Sequence, residues 1–187
     1  SDLAYYGINE VMQYFIPDAC NAIKDSVDFS QYDQDGDGNV DLVYVIYAGY
    51  SETWAPNSSE CLWPKSGIVY PNNTYNNKNV RRYGICNELQ AYPGAFTKAP
   101  FKRCNGIGLF CHEFSHCIGL PDIYCTLSNS SSTNMNIIKT NQTLEYWDLM
   151  DGGEYCDNGY RPCTYSSWER EALGWMNIDT LKSSQEV

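Results

Sequence analysis

The only two histidines of the 187-residue chain, His112 and His116, stand four residues apart and enclose Glu113. The stretch reads His112-Glu113-Phe114-Ser115-His116-Cys117-Ile118-Gly119-Leu120-Pro121-Asp122. The pattern makes sense as chemistry only if the chain is helical there. In a helix, the i, i+4 spacing puts both imidazoles on one face about one turn apart, where both can reach one ion. Glu113 then projects beside them, placed to take a proton from water activated by that ion. The helix is expected to start near Ile107 and to stop at Gly119, because only glycine enters the left-handed region cheaply. The competing reading is a surface helix with two unrelated histidines.

A catalytic zinc ion takes three protein ligands and keeps a fourth position for water. No third histidine exists in the chain, so a carboxylate is required if the site is catalytic zinc. Asp122 is the nearest candidate, brought back by the turn at Gly119, although it could instead cap a turn beginning at Pro121. Glu154 is the reserve ligand.

The net charge of −11 argues against nucleic acid and anionic membrane surfaces as partners. No apolar run approaches the length of a membrane span. Ser1-Asp2-Leu3-Ala4-Tyr5 lacks the basic and apolar regions of a signal peptide, so an export signal or propeptide is expected to have been removed or to lie outside this sequence. Nine cysteines without a C-x-x-C pair read as disulfides of an oxidising compartment rather than a thiolate cluster. Cys156 and Cys163, separated by a segment with Gly159 and Pro162, are expected to pair. Sequons at Asn57, Asn72, Asn129 and Asn141 mark exposed polar loops.

The length suits one domain, with an upper lobe over about residues 1–119 and a lower lobe over about 120–187. Residues 7–24 carry a helical pattern through Ile8, Val11, Met12, Phe15, Ala19 and Ile23. Pro17 should divide it into two short helices or kink it. Residues 42–48 are nearly all apolar and read as a central strand buried on both faces. Residues 51–79 read as loops with one strand near 67–70, and 83–89 as another strand. Residues 128–143 form a polar, insertion-like loop. Residues 166–173 should form a closing helix, with Trp168, Leu173 and Trp175 buried.

The segment 33–41 places oxygen ligands at positions 1, 3, 5 and 9 of an EF-hand-like numbering: Asp33, Asp35, Asp37 and Asp41. Gly38 falls at the sharp turn and Asn39 would give its backbone carbonyl. Position 12 is Tyr44 rather than glutamate, so this is not an EF-hand. Crowded carboxylates repel without a cation, and a structural calcium ion is expected here, with a solvated acidic turn as the alternative.

The His112–Asp122 stretch resembles the M6 metallopeptidases, the immune inhibitor A-like group. Three further stretches resemble the same group: 32–41 running into 44–49, Trp147-Asp148-Leu149-Met150-Asp151-Gly152-Gly153, and Ser167-Trp168-Glu169 with Leu173-Gly174-Trp175. The resemblance implies an α+β, metzincin-like zincin with a twisted mixed sheet, an active-site helix and a smaller C-terminal lobe. It implies that Met150 is the methionine of a Met-turn beneath the metal, and that Tyr155 is placed to hydrogen-bond the tetrahedral intermediate. The expectation is therefore a secreted zinc endopeptidase acting on proteins or peptides, with Glu113 as general base and a propeptide in its precursor. The rival readings are a catalytically inactive zincin used as a binding module and a calcium-stabilised adhesion or carbohydrate-binding domain.

Overall fold

The computed structural model describes residues 11–53, 61–90, 103–124 and 144–179. Ile8, Cys125, the sequons at Asn57, Asn129 and Asn141, and the polar loop 128–143 lie outside them. The first element, helix α1, spans Val11–Ile23 with Pro17 inside it. One helix thus stands where two short ones were the first alternative. Met12, Ile16 and Cys20, spaced four apart, are its buried stripe. The Pro17 carbonyl is held by the Tyr75 hydroxyl at 3.0 Å.

Two small three-stranded sheets follow, both mixed. The first orders β1 (Asn39–Val40), β5 (Lys78–Val80) and β4 (Thr74–Tyr75), with β1–β5 parallel and β4–β5 antiparallel. The β4–β5 hairpin turns through Asn76 and Asn77, both with positive φ (48° and 63°). Asparagine tolerates that region, and two such residues make the tight turn that suits the twist of paired strands. The hairpin lies in a stretch that reads as loop in the sequence.

The second sheet orders β2 (Val43–Tyr47), β6 (Arg82–Asn87) and β3 (Lys65–Ile68), with β2–β6 parallel and β3–β6 antiparallel. The apolar run 42–48 was expected to be the central strand, buried on both faces. Among the described residues that place belongs to β6, and Ile46 of β2 is 62% exposed. The alternation explains the difference. Val43, Val45 and Tyr47 face the cluster that contains Met12, Ile16, Tyr83 and Ile85. Tyr44, on the opposite face, packs on Phe110 with ring centroids 4.6 Å apart. Ile46 shares that face but not the cover.

Helix α2 (Ile107–Cys117) packs against β6 and β3 on one side and against the 3-10 segment Gly152–Gly159 on the other. Helix α3 (Ser167–Ala172) closes the described fold. It starts on a capping box in which Ser166 and Glu169 satisfy each other's backbone N–H groups. Here the expected burial is reversed. Trp168 and Trp175 are 54% and 61% exposed, while Glu169 is fully buried. The capping geometry turns Glu169 inward and leaves Trp168 outside.

Cys156 and Cys163 are free thiols, as are Cys20, Cys86, Cys104, Cys111 and Cys117, so the expected Cys156–Cys163 bridge is not formed. Cys163 is drawn onto Gly153, whose carbonyl accepts its N–H at 2.9 Å. The Cys156 thiol points instead to the Tyr146 carbonyl, 3.5 Å away. Among the described residues no helix is long and apolar enough to cross a membrane. The architecture is α+β, built on small mixed sheets.

Candidate metal centre

Helix α2 ends in a Schellman motif: Leu120 N–H donates to Ser115 C=O and Gly119 N–H to His116 C=O, each at 3.0 Å. Gly119 sits at φ +109°, a conformation that a side chain would strain. The same turn presents the Leu120 carbonyl to His116 Nδ1 at 2.8 Å. His112 Nδ1 meets the Leu149 carbonyl at 3.0 Å. A carbonyl can only accept, so each Nδ1 carries its proton. In its neutral form each imidazole then has its lone pair on Nε2.

Those two Nε2 atoms lie 3.2 Å apart. Asp122 Oδ1 lies 3.3 Å from that of His112 and 3.1 Å from that of His116. Three acceptors converge, and the buried Asp122 Oδ1 has no hydrogen-bond partner. Such a triangle repels itself unless a cation sits at its apex. In a tetrahedral site the ligand–ligand edge is about 1.63 times the bond length, or about 3.3–3.4 Å for zinc bonds of about 2.0–2.1 Å. The three edges fit that face closely.

The surrounding charges favour positive charge at the same point. Burial alone would lower the His112 pKa, but Asp122, Glu154, the Leu149 carbonyl and Glu113 together raise it to about 9. Burial acts against ionisation of Asp122 too, yet the two imidazoles hold its carboxyl well below the usual range. Glu113 is only 6% exposed. Burial raises its pKa to about 7 against the pull of both imidazoles. Glu154, Oε2 of which lies 3.6 Å from His112 Nδ1, is also raised by burial. That distance runs to the protonated nitrogen, so Glu154 lies behind His112 and outside the triangle.

Tyr155 hydrogen-bonds Glu154, and burial pushes its hydroxyl up, aided by that carboxylate. Tyr124 hydrogen-bonds Asp122 and stacks on the His112 ring with centroids 6.3 Å apart. Nothing in the sequence singled out Tyr124 among sixteen tyrosines. Met150 is fully buried in the turn that supplies the Leu149 carbonyl. The Met150 carbonyl accepts from Ile123 N–H at 2.9 Å, which ties that turn to the residue after Asp122. On the far side of α2, Ser115 Oγ meets the Tyr165 hydroxyl at 2.6 Å.

In the acidic loop, carboxylate oxygens of Asp33, Asp35 and Asp37 come within 4.8 Å of one another. Asp41 turns away to accept from Gln34 N–H, 3.3 Å from either oxygen. The side chains at Asp37 and Asn39 bond to each other at 2.9 Å. Lys78 Nζ is 2.5 Å from Asp33 Oδ2, and Arg81 and Arg82 line the same cavity as Asp35 and Asp37. The protein's own cations therefore already serve part of this cluster.

Residues 7–176 match the family described as immune inhibitor A peptidase M6, catalytic domain. The chain is 23% identical over 181 residues to the pre-pro-metalloprotease PrtV of Vibrio cholerae serotype O1, an alignment covering 83% of this chain and 17% of that protein. It is 24% identical over 170 residues to immune inhibitor A of Bacillus thuringiensis subsp. alesti, covering 80% and 23%. The chain thus spans about a fifth of the length of these curated relatives.

Proposed function

This chain belongs to the M6 peptidase family, a family of metal-dependent peptide hydrolases, and from that premise we propose that it is a zinc endopeptidase. His112, His116 and Asp122 would hold the ion. The carrying observation is the triangle of three acceptors with edges of 3.2, 3.3 and 3.1 Å, whose lone pairs are aimed by carbonyls that fix both histidine tautomers. A bound zinc ion would supply Lewis acidity, polarising the scissile carbonyl and lowering the pKa of water.

The remaining steps belong to side chains. Glu113 accepts the proton of the attacking water and passes it to the leaving amine. Its burial suits that role, because a carboxylate shielded from water takes up a proton more readily than an exposed one. Tyr155 would leave Glu154, to which its hydroxyl is bonded, to donate to the developing oxyanion. The buried Met150 would pack beneath the imidazoles as an adaptable thioether, in the manner of a Met-turn. In this reading an upper lobe over about residues 1–119 and a lower lobe over about 120–187 would flank the ion.

The same reading extends to location and form. A relative named as a pre-pro-metalloprotease supports export and a propeptide in the precursor, with proteins or peptides as substrates. A structural calcium at Asp33, Asp35 and Asp37, with Asn39 and Asp41 nearby, rests on the buried Asp33 Oδ1, which has no hydrogen-bond partner.

The test is Glu113→Gln. Glutamine keeps the shape but cannot take the proton, so casein digestion should vanish while one zinc per chain stays bound. Activity within about tenfold of wild type would remove Glu113 from the base role, since general-base catalysis is worth about 10²–10⁴-fold.

A further inference from the structure

Asp148 and Glu169 are both fully buried, main chain and carboxyl alike. They come from different segments and meet on one donor. The Ser166 N–H lies 2.7 Å from Glu169 Oε2 and 3.2 Å from Asp148 Oδ2. Two carboxylate oxygens on a single N–H must be close neighbours. Among the described residues neither forms an ion pair with a lysine, arginine or histidine. Two buried negative charges this close, without a cation, cannot both persist.

The hydrogen bonds say which one keeps a proton. Both Asp148 oxygens accept backbone N–H groups, Oδ1 from Met150 at 2.7 Å and Oδ2 from Ser166. Glu169 Oε2 accepts from Ser166 N–H and Oγ. Glu169 Oε1 is buried and has no partner. A proton there, donated to Asp148, satisfies the one atom otherwise left over. The direction agrees: burial first and then the Asp148 contact raise the Glu169 pKa to about 7, against the Ser166 bonds.

We propose that Glu169 and Asp148 share one proton as a positioning pair that clamps the 148–150 turn, and through it His112. Asp148 holds the Met150 N–H, and the residue between them supplies the Leu149 carbonyl that fixes the His112 ring. Helix α3 is thereby tied to the metal centre although none of its residues reaches it. The pair's role at the centre rests on the zinc reading above; its shared proton does not. The other titratable groups around it are Tyr165, raised first by burial and then by Cys111, Glu169 and Asp148, and Cys163, packed near the Asp148 carbonyl at Gly153.

Glu169→Gln is the informative variant. Its amide can donate to Asp148 and accept from Ser166, as the protonated acid does, but cannot titrate. Glu169→Ala removes the donor. The measurements on the whole chain are a carboxyl-carbon NMR titration with labelled glutamate, melting against pH, and zinc affinity by competition with a chelator. A glutamate resonance titrating near neutrality and absent from Glu169→Gln is expected. Melting of the wild type should fall between pH 5 and 8 more than that of Glu169→Gln. Zinc affinity should survive in Glu169→Gln and fall about 10–100-fold in Glu169→Ala, the range for lost support behind a ligand. A Glu169 resonance titrating in the ordinary glutamate range would overturn the shared proton. Unchanged zinc affinity in a folded Glu169→Ala would overturn the link to His112. If Glu169→Ala does not fold, Glu169→Gln decides, and a tenfold loss of zinc affinity there overturns the clamp. A wild type that binds no zinc would refute the metal reading and the pair's role at His112, while the NMR titration would still decide the shared proton.

Discussion

Gly108→Ala pits two effects of known size against each other. Gly108 lies in the first turn of α2, where alanine is the better helix former by at most about 1 kcal/mol. A Cβ at this position would lie 2.0 Å from the Glu154 carbonyl oxygen, against 3.4 Å or more for ordinary contact, and 3.2 Å from that of Gly159. Both obstacles are backbone, so no rotamer relieves them. The helix and the Gly152–Gly159 segment must separate by more than about 1 Å, at an overpacking cost of about 1–3 kcal/mol or more. The clash wins. For a chain of this size each kcal/mol moves the melting temperature by about 2–4 °C, so a drop of about 2–8 °C is expected. Separation also moves Glu154 from behind His112, and zinc affinity should fall with stability. Thermal melting by circular dichroism and a chelator competition read both. A melting temperature equal to or above that of wild type would refute the packing argument.

Gly119→Ala meets no atom within 4 Å, so its cost is backbone strain alone at φ +109°, about 1–2 kcal/mol, read by denaturant unfolding. It should weaken zinc binding because the Schellman turn aims the Leu120 carbonyl at His116. Asp122→Asn removes the anionic ligand while keeping the shape, and zinc affinity should fall by more than about tenfold in a chelator competition. For Glu169 the folded pKa of about 7 stands above the ordinary 4.5, so its stabilisation is fully present below pH 4.5 and is lost as pH rises through 7. The unfolding free energy of the wild type relative to Glu169→Gln should therefore fall over that window, by up to about 3 kcal/mol. A flat difference in urea melts at pH 4.5 and pH 8 would contradict it.

What was legible in the sequence was local. The spacing of His112 and His116 demanded a helix, Gly119 its end, and the absence of a third histidine a carboxylate such as Asp122; the structure brings these side chains together. The carbonyls of Leu120 and Leu149 that orient the rings were not legible, because every residue has one and only the turn decides where it points. Strand 42–48 looked central because Ile46 is as apolar as the core-facing Val43 and Val45, and Tyr44 has an aromatic ring that can also be buried. Burial depends on what covers each face, and only Tyr44 finds Phe110. Glu169 illustrates the converse. A glutamate between Trp168 and Arg170 reads as surface, yet the capping box turns it into the core.

The central claim is a zinc ion held by two imidazoles and one carboxylate. Zinc-edge X-ray absorption on the purified protein tests it directly, because nitrogen and oxygen scatterers at about 2.0–2.1 Å separate cleanly from sulfur at about 2.3 Å. Cys111 and Cys117 adjoin the ligand histidines in sequence, but the Cys117 thiol turns to the Tyr83 and Glu113 carbonyls. The account predicts one zinc per chain, a shell of nitrogen and oxygen with imidazole outer scattering from two rings, and no sulfur. A sulfur shell, or a protein that holds no stoichiometric zinc after metal loading, would contradict it.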